Sequence, residues 1–340
     1  MQNNYVSLDT VSKLLEVGER VLLLMRNRSG LTALHSACQI KNVSVDILVS
    51  KLIEVGGREL LMMRTKDGLT ALYSACQNKY VSADIVSKLL EVGGRELLMM
   101  RNRNGLTALH SVFENENVSA DIVSKLIEVG GREMVMMVGH DSGDTALHTA
   151  CKNKNISVDA VSKLLEVGGR ELLMMKNKYG GCTALHFICH ENSWVSVDIL
   201  SKLLETGGRE LVMMVGNDSG DTALHTACKN KNVSVEVISK LFEVGGRDLL
   251  MMKNEFDNGC TALHYVCNNL KILSVDILSK LLKMGGRELL MIKNDYGDNA
   301  LHYGCRRYFG GNGKENFNNS LALLLEECIL ANIGGEFGIG

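Results

Sequence analysis

Residues 68–105 read Gly-Leu-Thr-Ala-Leu-Tyr-Ser-Ala-Cys-Gln-Asn-Lys-Tyr-Val-Ser-Ala-Asp-Ile-Val-Ser-Lys-Leu-Leu-Glu-Val-Gly-Gly-Arg-Glu-Leu-Leu-Met-Met-Arg-Asn-Arg-Asn-Gly. Gly68 ends a polar turn, and Thr70 is a good N-cap for a short helix over Ala71–Cys76. Asn78-Lys79-Tyr80 breaks that helix. Ser82 caps a second one, whose first turn holds Asp84, a carboxylate favoured by the helix dipole. Ile85, Val86, Leu89 and Leu90 follow the i, i+3, i+4 pattern of an apolar helix face. Gly93-Gly94 is a stop signal. Arg95–Met100 reads as a third helical turn or a short strand, and Arg101–Gly105 as the next turn. Such a unit cannot bury its apolar face alone, but stacked copies can.

The copies are present. Thr-Ala-Leu-His begins at Thr32, Thr107, Thr145, Thr183, Thr222 and Thr261, with single-substitution versions at Thr70 and Asn299, at intervals of 37 to 39 residues. The Ser87–Met100 block recurs in step. Residues 138–189 also resemble residues 215–267, so a two-repeat segment is internally duplicated. One array is expected over 1–309, with a partial unit at 1–30 and repeats starting near 31, 69, 106, 144, 182, 221, 260 and 298. Residues 310–340 read as a loop, a capping helix and a Gly-rich tail. Ends without polar caps favour truncation or self-association.

Among 340 residues there is no proline, which excludes polyproline linkers and Pro-marked boundaries. A 46% hydrophobic share argues against global disorder, and a net charge of -2 against a nucleic-acid partner. No secretory signal and no apolar run of roughly 18 residues are visible, so no membrane insertion is expected. A cytoplasmic or nuclear chain with reduced thiols is the expectation.

Gly30-Leu31-Thr32-Ala33-Leu34-His35-Ser36-Ala37, with Leu89-Leu90 and Gly93 in register, resembles the ankyrin repeat. Two features depart from that family: Ala replaces its proline in every copy, and the units run about 38 residues against roughly 33. The resemblance implies an all-α curved solenoid of stacked helix-turn-helix repeats, with loops or short hairpins between units. It also implies a protein-binding scaffold or adaptor that uses its concave face and is not an enzyme. The alternative is a structural spacer, oligomerisation or targeting segment of a larger protein.

Candidate chemistry is weighed residue by residue. His-x-x-Cys at His35/Cys38, His148/Cys151, His186/Cys189, His225/Cys228, His264/Cys267 and His302/Cys305 offers two ligands per unit, too few for zinc. His bonding backbone at the helix start and Cys filling a small core site is the expected reading. Repeats stacked about 8–10 Å apart keep equivalent Cys beyond disulfide reach. Cys182 and Cys260, just before the Thr cap, are expected to be more exposed. Asp141–Asp144, Asp218–Asp221 and Asp295–Asp298 resemble calcium-loop fragments but lack the closing Glu, so turn tips with Asx bonds are expected. Asn-x-Ser at Asn42, Asn117, Asn155 and Asn232 places each Ser as a helix cap. The Met pairs, such as Met99/Met100, are expected to pack between neighbours. No Gly-x-Ser-x-Gly, phosphate-cradling loop or His-Glu-x-x-His occurs, so no cofactor is implied.

Positions that vary from copy to copy are candidate partner contacts. The fourth residue after the motif's His or Tyr reads Gln39, Gln77, Glu114, Lys152, His190, Lys229, Asn268 and Arg306. Turn tips contribute Lys66, Asp67, Arg103, Asn104, Tyr179, Phe256 and Tyr296. Tyr, Trp and Arg are common interface anchors, and the single Trp is Trp194. The aromatics one residue after His, Phe187, Tyr265 and Tyr303, are expected to pack between repeats instead.

Overall fold

A computed structural model describes residues 8–40, 45–115, 119–190, 196–216, 218–256, 258–268 and 275–310. Contacts divide the chain into two compact units, residues 1–172 and 173–340. In the first, long helices α1 (Leu8–Leu24), α3 (Val45–Leu61), α5 (Ala83–Leu98) and α7 (Ala120–Val135) form one packed row. Short helices α2 (Ala33–Cys38), α4 (Ala71–Gln77), α6 (Ala108–Glu114) and α8 (Ala146–Lys152) form the other. The long helix α9 (Val158–Met174) follows. The second unit repeats the plan with short helices α10 (Ala184–Cys189), α12 (Ala223–Lys229), α14 (Ala262–Asn268) and α16 (Ala300–Gly310) and long helices α11 (Val197–Met213), α13 (Val235–Met251) and α15 (Val275–Met291). Among the described residues the only β pairing is two isolated bridges, Val138 with Thr145 and Val215 with Thr222.

The caps fall where the sequence places them. Thr70 Oγ1 accepts the Tyr73 N–H at 3.2 Å, and Ser82 Oγ accepts the Ile85 N–H at 3.3 Å. Ser119, Ser157 and Ser234 cap their helices in the same way, which leaves the Asn-x-Ser reading as a cap. Ser44, two residues after Asn42, lies outside the described residues. The apolar face of α5 is buried as expected, with Ile85, Val86, Leu89 and Leu90 at 5% exposure or less. The Met pairs are half-buried in the described repeats.

The Arg-Glu-Leu-Leu-Met-Met segment is helical, not a strand. Gly94 bends the chain (φ 64, ψ -164), and one further turn, Arg95–Leu98, folds back onto the stack. Gly57 and Gly131 do the same in the first unit, Gly208, Gly246 and Gly286 in the second. This bend leaves the carbonyls before it without intrahelical partners. Arginine from the preceding repeat supplies them. Arg132 donates Nη1 to Val167 O and Gly168 O, both at 2.9 Å, and Nη2 to Glu171 Oε2 at 2.5 Å. Arg58 caps Gly93 O at 3.3 Å and pairs with Glu96. The Gly-Gly-Arg-Glu block thus carries the joint from one long helix to the next.

Short helices are joined by asparagine. Asn78, the C-cap of α4, donates Nδ2 to Cys38 O and Ile40 O of the previous repeat, both at 2.8 Å. Asn153 does likewise to Phe113 O and Asn115 O.

Candidate functional site

The histidines are structural. In each intact motif the Thr N–H and hydroxyl meet His Nδ1; Nε2 of His35, His110, His186 and His264 reaches a backbone carbonyl one repeat on, and that of His225 reaches Met252 O. For His110 these distances are 3.3 Å from Thr107 N, 2.9 Å from Thr107 Oγ1 and 3.2 Å to Asp144 O. Since the Thr N–H can only donate, Nδ1 accepts and Nε2 carries the proton. Burial pushes the His110 and His225 pKa down to about 4, and lowers those of His35 and His264. His302, at the last described helix, is exposed and bonds only Asn299.

The His-x-x-Cys cysteines fill core positions: Cys38, Cys151, Cys189, Cys228 and Cys267 are at 3% exposure or less. Burial pushes the Cys38 and Cys151 thiols up to about 12 and raises Cys76 and Cys228 further. Cys260, expected to be exposed, is buried, because Tyr303 of the following repeat lies over it with its hydroxyl 3.2 Å from Sγ. Cys182 and Cys305 are half-buried. Native protein treated with an aromatic disulfide reagent is therefore expected to modify Cys182 and Cys305 at least tenfold faster than the seven buried cysteines of the described residues, since the thiolate is the nucleophile. Peptide mapping of the modified sites checks this. Among the described residues no group of three or more His, Cys, Asp or Glu is placed to hold a metal ion, and no helix is long and apolar enough to cross a membrane.

The calcium-like tips are ion-pair stations, and the last of them is also the Asx-bonded turn expected, with Tyr296 N and Asp298 N donating to Asn294 Oδ1. Asp144, Asp221 and Asp298 are 6–8% exposed. Each pairs within its own repeat at 2.6 Å: with Lys152, Lys229 and Arg306. The Asp144 and Asp221 turns are held by Ser142 and Ser219 hydroxyls, and that of Asp298 by Asn294. Lys229 also stacks over Tyr265, 4.4 Å from the ring centroid. Three of the candidate partner-binding cations are thus engaged internally. Tyr265 and Tyr303 pack edge-on against His225 and His264, as expected for aromatics between repeats.

Within each unit, neighbouring turn tips, or fingers, are stitched by backbone bonds. In the first unit Lys66 N donates to Ser29 O, Arg103 N to Asp67 O and His140 N to Asn104 O, at 2.8–3.1 Å. Lys66, Asp67, Arg103 and Asn104 are all exposed on this row, with Arg103 3.9 Å from Asp67. In the second unit Phe256 N donates to Ser219 O and Asp295 N to Asn258 O. Its fingers carry Tyr179, Phe256 and Tyr296 at 67%, 66% and 73% exposure. His190 is exposed and Asn268 half-buried at the ends of α10 and α14. Trp194 lies outside the described residues.

Gln77 and Glu114 come together in the first unit, Gln77 Nε2 donating to Glu114 Oε2 at 3.0 Å. With Gln39 they line a cavity of about 360 Å³. Sequence reasoning named Gln77 and Glu114 but missed the Ser74, Lys79 and Tyr80 walls. The spacing of one repeat between Gln39, Gln77 and Glu114 is the signal that aligns them.

Stacked helix pairs, fingers linked backbone to backbone and variable side chains on tips and helix ends define a repeat array built for protein interaction. Residues 2–97 and 82–170 match ankyrin repeats. Among solved structures, the ankyrin repeat domain of Bcl-3, described as a unique member of the IkappaB protein family, is 26% identical. That match covers 68% of this chain and 90% of Bcl-3's, with a TM-score of 0.50. A chain from the complex of a predatory endopeptidase of Bdellovibrio bacteriovorus with an immunity protein is 22% identical, over 64% of this chain and 99% of that one, with a TM-score of 0.48. No curated protein matches the chain by sequence. The chain belongs to the ankyrin-repeat family.

Proposed function

We propose that the chain is a protein-binding scaffold whose second unit grips its partner through the finger tips. The observation that carries this reading is the exposure of Tyr179, Phe256 and Tyr296, at two-thirds or more, while Tyr265 and Tyr303 are drawn into inter-repeat packing. Large aromatics held out on short turns cost core stability nothing and offer rigid, amphipathic contact area. A row of such tips on a stitched backbone presents that area with little ordering left to do on binding. The exposed Lys66 and Arg103 fingers of the first unit offer polar contacts of their own.

The test is affinity capture and identification of the partner, then titration with the triple variant Tyr179→Ala, Phe256→Ala, Tyr296→Ala. Loss of three tip anchors is expected to weaken binding by about 30-fold or more, with the melting temperature unchanged. Lys66→Ala with Arg103→Ala is expected to change affinity only a few-fold, as exposed charges do. Wild-type affinity in the triple variant overturns the reading.

A further inference from the structure

We propose that the polar cavity in the first unit receives the guanidinium of an arginine side chain presented by a protein partner. The cavity lies at the C-terminal ends of α2, α4 and α6, and its volume of about 360 Å³ falls in the range, roughly 300–1,000 Å³, of sites that hold small ligand groups. Its hydrogen-bond accounting is lopsided. Glu114 Oε2 accepts from Gln77 Nε2 at 3.0 Å and from the Tyr73 hydroxyl at 3.4 Å. A carboxylate only accepts, so this contact orients the Gln77 amide with its nitrogen toward Glu114 and its carbonyl oxygen away. Both residues are exposed, and their second oxygens, Gln77 Oε1 and Glu114 Oε1, are open to a further donor. In the wall, the Ser74 hydroxyl has no hydrogen-bond partner although the residue is 2% exposed. A buried hydroxyl in that state is a standing cost of this wall. Gln39, at the third equivalent helix position, is exposed and free to turn its amide oxygen inward.

An aromatic face completes the set. Tyr80 is 40% exposed, and Lys79 of the chain itself hovers over its ring, 5.2 Å from the centroid. A cation of the chain itself is thus already drawn to the ring, held there by nothing stronger than a surface cation–π contact. A guanidinium suits this wall better than an ammonium. It is planar, offers five N–H donors in a fixed fork for several acceptors at once, and stacks on aromatic faces. An anionic group would meet the Glu114 carboxylate and the Gln77 amide oxygen, with Lys79 and a turned Gln39 amide in its favour. Lys79 is therefore the arginine's competitor for Tyr80, and Glu114 its counter-ion.

That assignment gives opposite signs for two exposed residues, which a merely structural role for either would not. The probe is an acetylated, amidated pentapeptide with one central arginine, titrated into the full chain and followed by the side-chain amide signals of Gln77 in NMR spectra. Saturable shifts are expected. Replacing the arginine by citrulline, of the same shape without the charge, is expected to weaken binding tenfold or more, and Glu114→Gln likewise. Lys79→Gln is expected to tighten it a few-fold. Equal binding of the citrulline peptide, indifference to Glu114→Gln, weakening by Lys79→Gln in a variant that melts like wild type, or no saturable shift up to about 10 mM peptide each overturns the proposal. The inference rests on the protein-binding reading for the nature of its ligand. The peptide titration needs no partner and leaves the second unit's finger tips untouched, so the two fail separately.

Discussion

Lowering the pH from 7 to 4.5 is expected to unfold much of the array, with His110 and His225 each withdrawing roughly 2–3 kcal/mol of stability. In the folded chain both rings are neutral, because burial lowers their pKa to about 4 from the ordinary 6.5. The unfolded chain therefore binds more protons than the folded one between those two values, and stability rises with pH across that window. The contribution is complete above pH 6.5, is lost progressively as pH falls, and is gone once pH drops below about 4. Geometry gives the same sign. A second proton would have to sit on Nδ1, which already accepts the Thr107 N–H at 3.3 Å in one case and the Thr222 N–H at 3.1 Å in the other. Domains of this kind carry about 5–15 kcal/mol in all, so losses at two joints are decisive. His35 and His264 shift in the same direction and add to the effect. Urea midpoints at pH 7, 5.5 and 4.5 read it out. His110→Gln is expected to be weaker at pH 7 yet to show a shallower fall toward pH 4.5. Identical midpoints for the wild-type chain at pH 7 and 4.5 would sink the neutral-histidine account.

What the sequence makes legible here is local. The Thr and Ser caps, the glycine turn tips and the helix faces depend on neighbours within one or two turns, and each falls where it is expected. What it hides depends on the stacking register. Arg132 meets Val167 O and Gly168 O about one period away, and nothing in its own repeat announces an acceptor. Cys260 looked exposed because its cover, Tyr303, comes from the next repeat. The Asp144–Lys152, Asp221–Lys229 and Asp298–Arg306 pairs are eight residues apart, beyond the i, i+4 rule for helix pairs. A signal for them was nevertheless on the page. In every repeat where Asp precedes the cap, a Lys or Arg stands eight positions on. Where Leu31, Leu69 and Leu106 precede it, Gln39, Gln77 and Glu114 follow. Those three repeats lack the internal pair; Gln77 and Glu114 turn to one another instead, and with Gln39 they line the cavity of the first unit.

The bend in the long helices gives the second large effect. Gly131 sits at φ 60, ψ -160, a region open essentially to glycine alone. A Cβ there meets nothing within 4 Å, so Gly131→Ala isolates the backbone cost, about 1–3 kcal/mol. Its neighbour Gly130 fails for the opposite reason. The bend folds the next turn back over it, and a Cβ would lie 2.7 Å from Met134 Cβ and 3.1 Å from Leu98 Cδ2 of the preceding repeat. Gly130→Ala is therefore expected to cost at least as much as an overpacked core site, about 3 kcal/mol, with the helix rows forced apart. Relaxing the bend also moves Arg132, whose guanidinium caps two carbonyls and pairs with Glu171 only from the folded-back turn. The cost of Gly131→Ala thus includes part of the cost of Arg132→Ala. Measured by urea unfolding, the double variant is expected to fall short of the sum of the singles by about 0.5–1 kcal/mol, as residues sharing one network do. Strict additivity would mean that the arginine holds its carbonyls without the bend, and a neutral Gly131→Ala would mean that the bend carries no strain at all.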